Sequence, residues 1–267
     1  MKRSEASLSS SAGVAVVTLQ APERRNLLSA EMVRALSDAF DQLEEDRTIR
    51  CAVLTGAGSA FCAGADLSTL EDAAHGRFEP VRGVYEGFLR VLRSPLPTIA
   101  AVNGPAVGAG FNLALACDVR LAAESAVFDT RFARLHLHPG GGHSWLLVQA
   151  VGRQQATVAC LFGQVWKAQE AYERGLVAGV HPDGQVLDAA VALGQNLNGH
   201  DGAFVRRLTD TIRQSAVTAE HRTALAAETE AQLWSTRQPA FLEGVRNLRD
   251  AINRRRSRDD RNTSGDG

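Results

Sequence analysis

The 267-residue sequence has few cysteines and no long apolar run, and each shortage excludes a class of protein. Its four cysteines, Cys51, Cys62, Cys117 and Cys160, show no Cys-x-x-Cys spacing. Neither a metal site nor a disulfide framework is therefore expected, and small buried thiols are. No stretch reaches the roughly 20 apolar residues that a membrane span needs, and the N-terminus lacks the apolar region of a secretory signal. These absences predict a cytoplasmic protein.

Charge of one sign is also lacking, since 29 basic residues face 30 acidic ones and the formal net charge is −1. This balance gives no electrostatic reason to expect a nucleic-acid partner. The sequence contains no G-x-S-x-G elbow and no P-loop lysine, and the turn at residues 104–110 does not have G-x-G-x-x-G spacing. Serine hydrolase, nucleoside triphosphate and dinucleotide sites are thereby excluded.

The order of apolar segments predicts an α/β fold. Strand patterns occupy four segments and alternate with a helix from about Ser29 and a short helix at 111–116; the strand segments are 14–19, 50–55, 97–102 and 118–122. Residues 68–83 are polar and weakly patterned, which predicts a mobile segment over a pocket. From residue 203 onward the apolar spacing is helical throughout.

Two glycine-rich turns are the most informative feature. FCAGADL at 61–67 and NGPAVGAG at 103–110 each follow an apolar strand and precede a helix. Glycine and alanine leave the backbone N–H groups open to a ligand, so the pair could hold one oxyanion, such as the oxygen of a thioester enolate. The alternative for each turn is an ordinary strand-to-helix loop.

These turns, together with PTIAAVNGPAVGAGFNLALACDVRLAA, FARLHLHPGGG and AYERGLV, resemble the enoyl-CoA hydratase/isomerase (crotonase) family in order and spacing. The resemblance covers about residues 12–255. It implies a crotonase-like spiral of ββα turns over 12–200 and a C-terminal helical region over 201–256, and we expect a disordered tail over 257–267. It also implies an acyl-CoA ligand, no cofactor beyond coenzyme A, and assembly as a homotrimer or hexamer.

The resemblance further suggests which residues form the site. The two oxyanion-hole N–H groups fall on Ala65 and Ala109. Other residues are expected to contact the ligand: Arg24 or Arg25 at the phosphates, the backbone of Cys62, Ala63, Asp66 and Leu67 at the adenine end, and Gly108 in the second turn. For the arginines, the alternative is a solvated surface position. Asp66 is also expected to cap the helix that follows it.

At the acid–base positions the chain departs from the family. The two glutamates of the hydratases fall on Asn112 and Phe132, and the aspartate of dienoyl isomerases falls on Gly140. Neither Asn nor Phe can exchange a proton near neutral pH. An ordinary hydratase is therefore not expected.

Three histidines remain for proton transfer. His136 and His138 would lie on one side of an extended segment, and His143 begins a helix behind three glycines. The alternative for each is a loop cap or a subunit contact. Three functions stay open: a lyase or isomerase with a non-glutamate base, a non-catalytic acyl-CoA carrier or regulator, and a supporting subunit in a mixed oligomer.

Overall fold

The computed structural model describes residues 4–218, 220–241 and 243. It divides into two compact units, the first ending at Asn198 and the second beginning at Gly199. The first unit contains the sheets and the glycine-rich turns. The second contains helices.

Nine strands form two sheets among the described residues. They are β1 (Ala6–Ser11), β2 (Val14–Leu19), β3 (Cys51–Gly56), β4 (Thr98–Val102), β5 (Ala106–Val107), β6 (Val119–Ala123), β7 (Val127–Asp129), β8 (Trp166–Lys167) and β9 (Gly179–His181). The larger sheet has the order β1-β2-β3-β4-β6-β9 and is parallel except for β1, and the smaller has the order β5-β7-β8. Strands β3 and β4 are buried at every residue, as expected for the centre of a parallel sheet covered on both faces.

The α-helices of the first unit are α1 (Ala30–Glu45), α2 (Leu67–Ala74), α3 (Glu79–Leu92), α4 (Ala109–Leu115), α5 (His143–Cys160), α6 (Ala168–Glu173) and α7 (Val186–Gln195). Those of the second unit are α8 (Gly202–Val217) and α9 (His221–Thr236). Helix α1 begins after Ser29, whose hydroxyl accepts a hydrogen bond from the Met32 N–H. Its apolar stripe, including Leu36 and Phe40, is buried as the sequence spacing predicts.

Residues 68–83, where the sequence predicts a mobile segment over a pocket, include most of α2 and the start of α3. Asp66 accepts a hydrogen bond from the Ser68 N–H and starts α2, and Pro80 lies in the first turn of α3. Gly76, with φ +82°, lies between the two helices. The capping residues and the proline indicate helix starts that the weak apolar pattern concealed.

The domain boundaries differ slightly from those expected. Strand β1 lies before residue 12 and pairs with β2 along its whole length, so the sheet begins earlier. The second unit begins at residue 199 rather than 201. The expected tail over 257–267 and the helical prediction beyond residue 243 lie outside the described residues. Cys51, Cys62 and Cys117 are buried free thiols and Cys160 is half-buried, as predicted.

Candidate active site

The two glycine-rich turns meet through their backbones. The segment after β3 reaches the segment after β4, where Cys62 and Ala106 form a parallel bridge. The Cys62 N–H donates to the Pro105 carbonyl at 3.2 Å, and the Val107 N–H donates to the Cys62 carbonyl at 3.0 Å. Two loops some forty residues apart in the sequence are thus joined as if they were adjacent strands.

Glycine is required at two points of this junction. A β-carbon at Gly64 would lie 2.6 Å from the Val107 carbonyl oxygen and 3.4 Å from the Ala109 nitrogen, and its φ of +96° also favours glycine. A β-carbon at Gly110 would overlap the Cys62 carbonyl. The two turns are therefore packed backbone to backbone, closer than side chains would allow.

Among the N–H groups at the junction that have no acceptor within the part of the chain that the structure describes are two on different turns. They belong to Ala65, in the first turn, and to Ala109, the first residue of α4. Both residues are half-buried. Backbone donors that are partly out of water are nearly always paired, so two free ones on neighbouring loops are suited to a ligand acceptor.

The first turn is fixed by hydrogen bonds to Asn26, whose side chain is fully buried. Its amide nitrogen donates to the carbonyls of Ala57, Ala60 and Phe61 at 2.9, 2.8 and 3.3 Å, and its amide oxygen accepts from the Ala21 N–H at 3.0 Å. Asn26 itself has φ +56°, a conformation that asparagine tolerates better than most residues. Nothing in the sequence pattern distinguished this residue.

Replacing Asn26 with alanine should destabilise the protein by about 2–5 kcal/mol, because several buried backbone groups would lose their partner together. Denaturant unfolding followed by circular dichroism measures the change. Asn196→Ala, at an exposed position after α7, is the control and should change the free energy of unfolding by less than about 0.5 kcal/mol. An equal effect of the two substitutions would contradict this role for Asn26.

A buried histidine contacts α4 through Asn112. His143, the first residue of α5, is 1% exposed, and its Nδ1 contacts the Asn112 amide oxygen. Its ring packs edge to face against Phe111 and Phe132, with centroid separations of 5.5 and 5.0 Å. Asn112 in turn donates from its amide nitrogen to the Gly140 carbonyl at 3.2 Å.

This chain of contacts determines the tautomer of His143. The Asn112 amide nitrogen is used on Gly140, so the amide oxygen faces Nδ1 and Nδ1 must carry the proton. The lone pair is then on Nε2, which is buried and has no hydrogen-bond partner among the described residues. The arrangement is a neutral imidazole held by an amide, with its acceptor nitrogen unused.

Burial lowers the pKa of His143 from 6.5 to about 4. Because the unfolded chain binds this proton first as the pH falls, the free energy of unfolding should decrease by about 3 kcal/mol between pH 6.5 and pH 4, with no further loss from this group below pH 4. Urea unfolding across this range should show the decrease in the wild type but not in His143→Phe. Parallel curves for the two proteins would contradict it.

Comparisons with known proteins identify the family of this chain. The family model for enoyl-CoA hydratase/isomerase matches residues 9–248. The chain belongs to the enoyl-CoA hydratase/isomerase family. It is 43% identical over 234 residues to EchA14 of Mycobacterium tuberculosis H37Rv, named a probable enoyl-CoA hydratase, covering 85% of this chain and 91% of the relative. It is 37% identical over 238 residues to 1,2-epoxyphenylacetyl-CoA isomerase of Escherichia coli K12, covering 87% and 90%.

Solved structures confirm the crotonase fold that the motifs predicted. An enoyl-CoA hydratase from Bacillus anthracis superimposes with a TM-score of 0.86 at 30% identity, over 92% of this chain and 96% of that chain. A protein assigned as an enoyl-CoA hydratase from Thermobifida fusca YX, solved in complex with CoA, gives a TM-score of 0.77 at 29% identity, over 87% and 93%. The family therefore includes a member seen with CoA.

The candidate residues of the first turn differ in burial and in the hydrogen bonds that they already make. Cys62 is buried, and burial raises the pKa of its thiol to about 12, so the thiol is neutral and unreactive. The Ala63 N–H donates to the Arg25 carbonyl at 2.9 Å. Asp66 is exposed and caps α2, of which Leu67 is the first residue. The backbone N–H of Ala65 is one of the donors of this turn that have no acceptor among the described residues.

The two arginines also differ. Arg24 forms an ion pair with Glu5, whereas Arg25 is exposed, has φ +51° and has no side-chain partner among the described residues. On the second turn, the Gly108 N–H donates to the Asp129 carbonyl at 2.9 Å. Gly108 thus anchors the start of α4 and leaves the donor at Ala109 free.

The extended segment that would place His136 and His138 on one side is not present at His136. Residues Phe132–Leu135 form a 3-10 helix, and His136 follows with a left-handed backbone, φ +49°. Both imidazoles are exposed, and Nδ1 of His138 lies 2.7 Å from the Pro139 carbonyl. Of the three candidate histidines, only His143 is brought to Asn112 and Phe132.

In the described ranges, no helix is both long and apolar enough to cross a membrane. Over the same ranges, no three His, Cys, Asp or Glu side chains come together as a metal site would need.

Proposed function

We propose that this family member binds an acyl-CoA thioester with its carbonyl oxygen between the N–H groups of Ala65 and Ala109 and stabilises the enolate that forms when the α-carbon loses a proton. The observation that carries the proposal is the pair of half-buried N–H groups on adjoining loops without an acceptor in the described chain. Donors fixed in advance stabilise an oxyanion strongly because they need no reorganisation when the charge develops.

His143 is the proton acceptor of this proposal. Asn112 and Phe132, which stand where the resemblance places the hydratase glutamates, are both in contact with its imidazole. Its pKa of about 4 is close to that of an ordinary glutamate, about 4.3, so a neutral imidazole here has the basicity of the carboxylate it replaces. The imidazolium that forms would be paired with the enolate it has generated.

The proposal requires Nε2 to become accessible, and it assigns this to movement of the Phe132 ring. Nε2 is closed to solvent, and the half-buried Phe132 ring packs against the imidazole. Rotation of one ring at the end of a 3-10 segment is a small change compared with opening the core. An acyl group that displaces the ring would bring its α-carbon to the lone pair.

Isomerisation fits this site better than hydration. Water addition in the family uses two carboxylates, whereas here one side chain can accept a proton and its neighbour Phe132 cannot hold water. A base that removes a proton and returns it elsewhere on the acyl chain needs only one such group. The likeness to 1,2-epoxyphenylacetyl-CoA isomerase supports this choice.

Arg25 is the better candidate for the CoA phosphates. Arg24 would first have to leave Glu5, whereas Arg25 has no side-chain partner in the described residues and stands beside the first turn through its carbonyl bond to Ala63. A guanidinium recognises phosphate oxygens well because its donors are arranged as a fork. The CoA-bound relative supports CoA as the ligand moiety.

The test is exchange of the α-protons of phenylacetyl-CoA and butyryl-CoA with deuterium oxide, followed by proton NMR, beside crotonyl-CoA hydration on the same sample. Exchange measures enolate formation without requiring knowledge of the natural reaction. Exchange with slow hydration supports the proposal. Fast hydration would contradict the assignment of His143 as the one acid–base group.

A carrier is the second candidate, and the closed position of Nε2 favours it, because a base that never meets the ligand does no chemistry. Calorimetry with butyryl-CoA on the same protein separates the two functions. Binding without exchange would support the carrier, and absence of binding would contradict both.

We also infer a homotrimer or hexamer. The loop after α5 exposes Leu161 and Phe162, which are 71% and 76% accessible in the single chain, and adjacent exposed apolar side chains of this size favour burial against another subunit. Native mass spectrometry would give the number of subunits and would reveal any second type of chain.

A further inference from the structure

Tyr85 packs against two glycines, Gly140 and Gly141. Gly140 is also the residue whose carbonyl accepts from Asn112, the partner of His143. A β-carbon at Gly140 would overlap the Tyr85 hydroxyl and lie 2.9 Å from its Cζ, and one at Gly141 would lie 3.2 Å from its Cδ1. Phe88, one turn further along α3, packs beside it with ring centroids 5.8 Å apart. Two residues without side chains therefore make the space in which the Tyr85 phenol lies.

This position is connected to the candidate oxyanion hole by a short series of contacts. The Gly140 carbonyl accepts from Asn112, and Asn112 lies one turn after Ala109 on α4. Residues three apart on a helix share a face, so Ala109 and Asn112 look toward the same side. Contacts through Asn112 and Gly140 thus link the turn that carries Ala109 to the Tyr85 hydroxyl.

The Tyr85 hydroxyl is available to a ligand. It makes no hydrogen bond with any described residue, and the ring is half-buried. Partial burial raises its pKa, so the group remains a protonated donor across the neutral range. The Tyr85 hydroxyl can therefore donate a hydrogen bond to a ligand oxygen.

Resting on the proposed function, we infer that Tyr85 selects acyl groups bearing an oxygen substituent, such as a hydroxyl or carbonyl, by donating a hydrogen bond to that oxygen from above Gly140. Gly140 is the residue that permits this, since any side chain there displaces the phenol. The Tyr85 hydroxyl, a neutral donor on α3, thereby lies beside Gly140, where the resemblance places the aspartate of dienoyl isomerases. An unsubstituted alkyl chain would leave this donor without a partner and would bind less well.

Calorimetric binding of 3-hydroxybutyryl-CoA and 4-hydroxybutyryl-CoA, each against butyryl-CoA, tests the inference on the wild type, Tyr85→Phe and Gly140→Ala. Tyr85→Phe keeps the ring over the glycines and removes only the hydroxyl. Tyr172→Phe is the matched control, because Tyr172 is the other tyrosine of the chain and is 48% exposed on α6. Circular dichroism establishes that each variant is folded.

We expect the wild type and Tyr172→Phe to bind at least one hydroxyacyl-CoA more tightly than butyryl-CoA. Tyr85→Phe should lose about threefold to tenfold in affinity for that ligand and keep its affinity for butyryl-CoA. Gly140→Ala, which displaces the phenol, should also lower the affinity for that hydroxyacyl-CoA. Equal affinities in wild type and Tyr85→Phe for both hydroxyacyl ligands, with butyryl-CoA bound, would overturn the role of Tyr85 alone. No binding of any acyl-CoA to the wild type would overturn the proposed function and this inference with it.

Discussion

Replacing Ala109 with proline is expected to lower the rate of α-proton exchange by about 10²–10³-fold, because proline removes one of the two N–H donors proposed for the thioester oxygen. The substitution suits this position. Ala109 is the first residue of α4, where proline is accommodated, and Gly108 before it has no β-carbon to clash with the proline ring. Exchange in deuterium oxide with phenylacetyl-CoA measures the loss.

Ala109→Gly is the matched control, since it keeps the N–H and removes only the methyl group. Its exchange rate should stay within about threefold of the wild type, because a backbone donor does not depend on the side chain. Both variants should retain the circular dichroism spectrum of the parent. A folded Ala109→Pro protein that exchanges at the wild-type rate would show that the oxygen lies elsewhere.

Replacing His143 with phenylalanine is expected to lower exchange by about 10²–10⁴-fold, the usual contribution of a general base. Phenylalanine preserves the ring packing against Phe111 and Phe132 and removes the lone pair. In the wild type, the pKa of about 4 predicts a rate that is constant from pH 8 to pH 5 and falls only as His143 becomes protonated near pH 4. A rate that falls between pH 7 and pH 6 would point to another group.

Asn112→Leu tests whether the tautomer matters. Leucine removes the acceptor that holds the proton on Nδ1, so exchange should fall nearly as far as in His143→Phe, and the double variant should be little worse than either single one. His138→Phe, five residues earlier in an exposed position, is the control and should exchange at the wild-type rate. Additive losses in the double variant would mean that Asn112 and His143 act separately.

The fold was largely accessible from the sequence where the apolar pattern was strong. The strand predicted over 14–19 is β2 with the same bounds, and the predicted start of α1 at about Ser29 agrees with its observed cap. Such segments are predictable because their burial repeats locally. The helices within 68–83 were not predicted, because Asp66 and Pro80 mark where they start more clearly than apolar spacing does.

The candidate site was only partly accessible. Its two glycine-rich turns were recognisable because they resemble motifs of the family in order and spacing. The three histidines at 136, 138 and 143 could not be ranked, because which imidazole is buried depends on a left-handed residue and a 3-10 turn that no periodicity signals. Tyr85 was missed for a similar reason, since it reaches Gly140 from a helix some fifty residues away.

By itself the sequence determined the family, the alternating strands and helices, and the loops with open backbone, since these follow from local patterns and motif spacing. Only the tertiary structure decided that the Ala65 and Ala109 N–H groups lie on joined loops, that His143 is a neutral acceptor held by Asn112, and that Tyr85 fills the space left by Gly140. These features arise from contacts between residues far apart in the chain, and a hydrogen bond or a shifted pKa exists only once such groups are brought together and removed from water.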